Sequence, residues 1–220
     1  MPERAGADVW RCKDWLGPGR LLASAQTPYA CGVNRKTATL DALCLLGLAF
    51  WLGAVGMTGV TAAVAFPTMK EMAPTLPAFA AYSEAHWPIA AGSVARRVFD
   101  ISAYVQVVCA LVALVAGGLR VLVGAGSRPV ARVVWTLLAA ACLGWWLVVL
   151  TPRMNINLDV FWEAARAGKL ERAASAKAAF DMDHPLASRA ISGAALFALL
   201  GVVECLRWAA FAPKPEGKPG

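Results

Sequence analysis

LCLLGLAFWLGAVGMTGVTAAVAF, residues Leu43 to Phe66, carries no charged side chain and lacks the strict apolar–polar alternation of a half-buried strand. Coiled as a helix, it is long enough to cross the ~30 Å hydrocarbon core of a bilayer. Three further apolar stretches follow, approximately Val98 to Leu119, Val133 to Thr151 and Ala190 to Leu206. In lipid a backbone donor or acceptor has no water to bond, so each span must close its hydrogen bonds within its own segment, as a helix does. The expected fold is therefore all-α: an integral membrane four-helix bundle of two helical hairpins, with short amphipathic surface helices in the two long, non-cytoplasmic connections.

Composition points the same way. Of 220 residues 59% are hydrophobic and 16% charged, more apolar surface than one soluble core readily buries. The net charge of +7 does not come from a basic run interleaved with aromatics, which sets nucleic acid aside and leaves the lipid bilayer as the first partner. Arg4, Arg11, Lys13, Arg20, Arg35 and Lys36 precede the first span. Arg120, Arg128 and Arg132 lie between the second and third, and Arg207, Lys214 and Lys218 lie at or beyond the end of the fourth. By the positive-inside rule these regions, and both termini, are cytoplasmic. The other side carries Lys70, Arg96, Arg97, Arg153, Arg166, Lys169, Arg172, Lys177 and Arg189, largely balanced by acids. Residues 1–39 read as a poorly ordered cytoplasmic extension, 40–212 as the bundle and 213–220 as a disordered tail.

Prolines organise the connections. Pro67, Pro74, Pro77 and Pro88 break helix after the first span and leave room for one short turn around Ala78 to His86. Leu158 to Phe180 reads as a helix pair on the membrane surface, interrupted near Gly168, with Phe161, Trp162, Ala165 and Leu170 facing lipid or the bundle. Pro152 is expected to end the third helix, and Asp183 to cap the fourth ahead of Pro185. Trp87, Trp162, Trp135 and Trp208 read as interfacial anchors. Both halves share a pattern, Pro67-Thr68-Met69 leading to His86 and Arg97, and Pro152-Arg153-Met154 leading to His184 and Arg189, which hints at a duplicated hairpin. Ala49 with Gly53, Gly59 with Ala63, Ala140 with Gly144 and Ala194 with Ala198 are spaced to let helix backbones approach.

Chemistry-bearing residues gather on the non-cytoplasmic side, where four crossings place the ends of all the spans. A polar mouth is expected from Arg97, Asp100, Arg153, Asn155, Asn157, His184 and Arg189. Asp100, about one turn inside the second span, needs a cation there, and Arg153 and Arg189 are at matching depth. It reads either as a gated ion pair or proton acceptor, or as a salt bridge pinning helices. Asn155 and Asn157 either line the mouth or cap the third helix. His86, His184, Met69 and Met182 form a candidate copper site, since imidazole and thioether ligands suit Cu(I); the same residues serve equally well in packing and capping. Glu204 and Arg207 read as a surface ion pair. The six cysteines include no CxxC pair, so Cys44, Cys109, Cys142 and Cys205 read as small packing residues and no disulfide is expected. No GxSxG, HExxH, Walker-type or Rossmann fingerprint is present, which points away from enzymes of those kinds.

At Phe66-Pro67-Thr68-Met69, Thr151-Pro152-Arg153-Met154-Asn155 and Phe180-Asp181-Met182-Asp183-His184-Pro185 the chain resembles the small four-span bacterial membrane proteins of unknown function that are similar to eukaryotic transmembrane protein 205. That resemblance spans about Leu40 to Ala209 and implies a bacterial inner-membrane location without an activity to carry over. A looser likeness to copper-resistance D type proteins bears on the methionine and histidine cluster, although this chain has no histidine inside its spans. The expected function is a non-enzymatic small transporter or accessory membrane subunit. The alternatives are a copper- or redox-cofactor-binding membrane protein, and a structural subunit acting through membrane-protein partners or as a homo-oligomer.

Overall fold

The computed structural model describes residues 35–123 and 128–210. The two terminal extensions expected from sequence lie outside the described residues, except that 35–39 already belong to the first helix. Five helices follow: α1 (Arg35–Met72), α2 (Trp87–Val123), α3 (Arg128–Trp145), α4 (Thr151–Arg166) and α5 (Leu170–Ala210). A π-helical turn, Trp146–Leu150, joins α3 to α4 without a break, so four rods of apolar character result. The chain is an all-α, multi-pass membrane bundle of two hairpins. α1 packs on α2 and α5, α2 on α3, and α3 with α4 on α5, which closes the ring.

Each rod outlasts the bilayer. The four apolar helices run 37 to 38 residues, about 55 Å at 1.5 Å per residue, against a core of ~30 Å. Most of the surplus stands at one end as a cap made from the end of α1, residues 73–86, the start of α2, α4 and the first half of α5. The helix pair expected in the second connection is therefore present and broken at Gly168, but it continues two spans rather than forming separate surface helices. Alanine-rich, charged sequence from Leu170 to Lys177 is good helix former and simply extends α5.

Pro67 and Pro185 both lie inside helices, correcting the expectation that Pro67 and Asp183-Pro185 mark boundaries. A proline within an established helix costs one backbone bond and some bending, which neighbouring helices and hydroxyl side chains offset. The carbonyl left without its N–H donor by Pro185 is that of Asp181, four residues back; Ser188 Oγ donates to the next turn's His184 carbonyl at 3.0 Å. Pro152 does not end the third helix either. The wide turn just before it, closed by the Thr151 N–H to the Trp146 carbonyl, gives the pyrrolidine ring room to begin α4.

Two apolar cores match this division. In the spans, Leu48, Trp51, Leu143, Trp146 and Leu150 pack with Ala113, Ala139, Ala194 and Ala198. In the cap, Phe79, Ile89, Phe161, Ala164, Ala165, Ala173 and Ala176 form a separate cluster. Of the small-residue pairs, Ala194 and Ala198 are buried, whereas Ala49, Gly53, Gly59 and Ala63 face outward. Close approach occurs instead at Gly47, where a Cβ would stand 3.1 Å from the Cys109 carbonyl oxygen and 3.2 Å from the Ala113 nitrogen. A buried polar chain pins the same two helices: Trp51 Nε1 donates to Gln106 Oε1 (3.2 Å), Gln106 Nε2 to Ser102 Oγ (3.2 Å), and Ser102 Oγ to the Ala54 carbonyl (3.0 Å).

Candidate functional site: a cleft in the cap

Residues 73–86 are non-helical apart from a 3₁₀ turn, Pro77–Phe79, and fold down onto the α4–α5 connection. Ala73 leaves α1 with φ 44° while its N–H still bonds the Met69 carbonyl at 3.1 Å. α4 ends in the left-handed Gly168 (φ 67°), whose missing Cβ makes space for Ala81: a methyl would lie 3.1 Å from the Ala81 carbonyl oxygen. The Lys169 N–H bonds the Ala164 carbonyl (2.9 Å) and the Gly168 N–H that of Ala165 (3.1 Å), a paired cap that turns the chain into α5.

His86 holds this loop together. Its Nδ1 accepts from the Leu76 N–H at 2.9 Å, and its Nε2 lies 3.0 Å from the Tyr82 carbonyl, to which the Nε2–H donates. The Tyr82 ring stacks on the imidazole, and burial, helped by Glu84, pushes its phenol above the ordinary tyrosine range. With both ring nitrogens bonded to backbone, His86 offers no lone pair to a metal in this conformation. Met182 is 73% exposed, and His184 is exposed beside Phe180. Among the described residues, no group of three or more His, Cys, Asp or Glu is placed to hold a metal ion.

Of the mouth expected from Arg97, Asp100, Arg153, Asn155, Asn157, His184 and Arg189, the ion pair between Asp100 and Arg153 is not formed. Asp100 is exposed on the face of α2 shared with Ile101 and Tyr104. It lies two residues, about 200° of helical rotation, from buried Ser102. Among the described residues it has no ion-pair partner, and Arg153 pairs with Asp183 of α5 (2.9 Å) instead of with Asp100. Counting back about 20 residues, ~30 Å, from Leu119 reaches Asp100, so the carboxylate sits at the edge of the apolar core rather than inside it. Arg97, His184 and Arg189 are likewise exposed, and Asn155 and Asn157 are half-buried on α4.

What the cap does contain is a cleft of about 340 Å³ between α1, the loop, α2 and α4, with Met69, Phe79, Ile89, Val94, Trp162 and Arg166 among its walls. That volume is at the lower end of small-molecule sites, and the cleft is apolar and half open. The Arg166 guanidinium lies 5.0 Å from the Phe79 ring centroid, and Arg96, bonded to Asp159, lies 5.5 Å from that of Trp162. Trp162 Nε1 is buried and has no hydrogen-bond partner. A buried donor in that state is uncommon and costs free energy until an acceptor reaches it. Trp162 thus forms part of the cap rather than a simple interfacial anchor. The cleft was not legible from sequence, because Met69, Phe79 and Trp162 meet only once the loop folds back; the spacing of Trp162 and Arg166, one helical turn apart, was the available local signal.

The opposite end holds a second group that the sequence reading did not join. Asp41 of α1 accepts from Arg132 Nη1 of α3 (2.7 Å) and from Arg120 Nε of α2 (3.3 Å). Both arginines were read only as charges setting orientation.

No protein-family model matches the chain, and no curated protein or solved structure matches it. A functional reading therefore rests on the geometry just described.

Proposed function

We propose that this chain is an accessory binding subunit of the bacterial inner membrane, with both termini cytoplasmic and the cap outside, and that the cap receives a small amphipathic ligand in its cleft. The single observation behind this reading is the apolar cleft with the Arg166 guanidinium on its wall and the unpartnered Trp162 indole among its lining groups. An apolar tail would lie against Met69, Phe79, Ile89 and Val94, while a carboxylate or carbonyl head would meet the Arg166 guanidinium. The orientation follows from the arginines at the opposite end. An accessory role is favoured over a transporter because Leu48, Trp51, Trp146 and Leu150 fill space between the spans with apolar side chains. The resemblance to the four-span family similar to transmembrane protein 205 belongs to the same proposal.

Decanoate serves as a probe, measured by native mass spectrometry of the full-length protein released from nanodiscs. The reading expects one saturable adduct, affinity weakened by about tenfold in Arg166→Gln through loss of a charge-assisted hydrogen bond, and no adduct in Ala90→Trp, whose indole fills the cleft. Equal decanoate binding by the wild type and Ala90→Trp would remove the cleft from consideration.

A further inference from the structure

The cleft stands upright on the membrane. Its α2 wall includes Ala90, Ser93 and Val94, and its α4 wall Trp162 and Arg166. Asp100 marks the edge of the apolar core on α2, so Val94 and Ala90 stand ~9 and ~15 Å beyond that edge at 1.5 Å per residue. On the third rod the apolar stretch ends at Thr151, and Arg166 closes α4 ~22 Å further out. Met69 follows the end of the first apolar stretch, Phe66, by only ~4.5 Å. Arg166 is therefore at the top of the cleft, and Met69 and Val94 are at its foot.

Below the foot the same face of α2 meets lipid. Ala90, Arg97 and Tyr104 recur at seven-residue spacing, as do Val94, Ile101 and Val108, and residues so spaced lie one above another on a helix. Val94, Ile101, Tyr104 and Val108 are 41%, 66%, 76% and 59% exposed. Ala91, Ala95, Ser102 and Gln106, on the other side of α2, are buried. The wall of the cleft and the lipid-facing surface of α2 thus form one strip, which passes the membrane edge beside Arg97 and Asp100. A groove opening only on water would not continue into the bilayer along its own wall.

Resting on the ligand site proposed above, we infer that its occupant is a long-chain fatty acid drawn sideways from the leaflet on the cap side. Its carboxylate meets the single guanidinium of Arg166 at the top. The chain descends between Phe79, Ile89 and Val94, and its far end leaves by the foot to rejoin the lipid along Ile101, Tyr104 and Val108. One positive group matches one carboxylate, and about 340 Å³ suits one acyl chain rather than two. A chain longer than the cleft stays out of water along its length, because the bilayer covers what the cap does not.

The test uses full-length protein in lipid nanodiscs with decanoate and stearate, compared at equal mole fraction in the bilayer by native mass spectrometry. An open foot expects stearate to bind within about threefold of decanoate; a cleft closed there has no room for the longer chain and would weaken stearate by about tenfold or more. Two photoreactive stearates then map the chain, one with a diazirine beside the carboxylate and one with it beside the terminal methyl. The first should label the peptides of Phe79, Ile89 or Trp162, and the second the stretch from Ile101 to Val108. Decanoate should compete both labels away. Ala90→Trp should lose the cap label while the competition-insensitive background on Leu111 and Val115, from bulk lipid, reports an intact bundle. Decanoate binding with stearate excluded, or a carboxyl-end label confined to residues near Arg97 with the methyl-end label at Leu111 to Val115, as for any lipid lying against α2, would overturn the inference and leave the ligand site standing. Absence of any saturable decanoate adduct would remove the ligand site itself, and this occupant with it.

Discussion

Asp41→Ala is the perturbation to which the bundle should be most sensitive. Its carboxylate serves two guanidinium groups at 2.7 and 3.3 Å, and the side chains of Arg132, Arg120 and Asp41 are only 3%, 11% and 20% exposed. Removing one partner from a buried pair leaves an uncompensated charge and costs about 3–5 kcal/mol. Arg120 has a further interaction of its own, so the lower part of that range is expected, about 3 kcal/mol. Unfolding by SDS in mixed micelles, followed by far-UV circular dichroism, measures the difference. Lys177→Ala is the control, because it removes an exposed pair with Asp181, the two side chains being 48% and 54% accessible; such pairs contribute roughly 0–1 kcal/mol. Asp41→Leu combined with Arg132→Leu should recover part of the loss, since it removes the most deeply buried ion and leaves only Arg120, which keeps a further interaction of its own. An Asp41→Ala shift no larger than that of Lys177→Ala would refute the reasoning.

Other outcomes follow from single contacts. Gly47→Ala should lower stability in the same assay by about 1–3 kcal/mol, because the new methyl meets backbone atoms of α2 that cannot swing aside; an unchanged midpoint would contradict that. Gly168→Ala should cost about 1 kcal/mol or more from its left-handed backbone and the contact with Ala81, and should speed proteolysis of the cap without changing cleavage elsewhere. Tyr82 should ionise above the usual tyrosine range, seen as the part of the alkaline absorbance change at 295 nm that Tyr82→Phe removes. Since the folded state holds that proton more tightly than the unfolded chain, its stabilising contribution is complete below the ordinary tyrosine value and is lost as pH rises through the raised one. A Tyr82 component at the ordinary value would count against its burial.

Leu43 to Phe66 and its three counterparts settled the membrane class and the two hairpins, because continuous apolar length has one physical solution in lipid. Pro152 and Pro185 were harder. A proline marks a boundary in an isolated helix, but here a π-turn and bundle packing carry the helix past it, and nothing local in Thr151-Pro152-Arg153 reveals that. Asp100 misled for a related reason: its depth was counted from the apolar stretch, while its phase on α2, opposite Ser102, decided that it faces outward. His86 was read as a candidate copper ligand or as a packing and capping residue; its partners, the Leu76 N–H and the Tyr82 carbonyl, are backbone atoms that leave no trace in side-chain pattern. Asp41 is the instructive omission. A lone acid ahead of a span carries little information by itself, and its meaning comes from Arg120 and Arg132, which only the closed ring of helices brings to it.

Depth measurements along α5 test the continuous helix, and with it the cap, most directly. Spin labels placed singly at Leu170, Met182, Leu186, Leu196, Leu199 and Val203, all exposed, report oxygen against nickel-chelate accessibility in nanodiscs. If α5 leaves the bilayer as one rod, Leu170 to Leu186 are reached from water and Leu196 to Val203 from lipid, with one crossover near Arg189 or Ala190. A lipid-like signal at Leu170 and Met182, as for a helix lying along the membrane surface, would contradict the account.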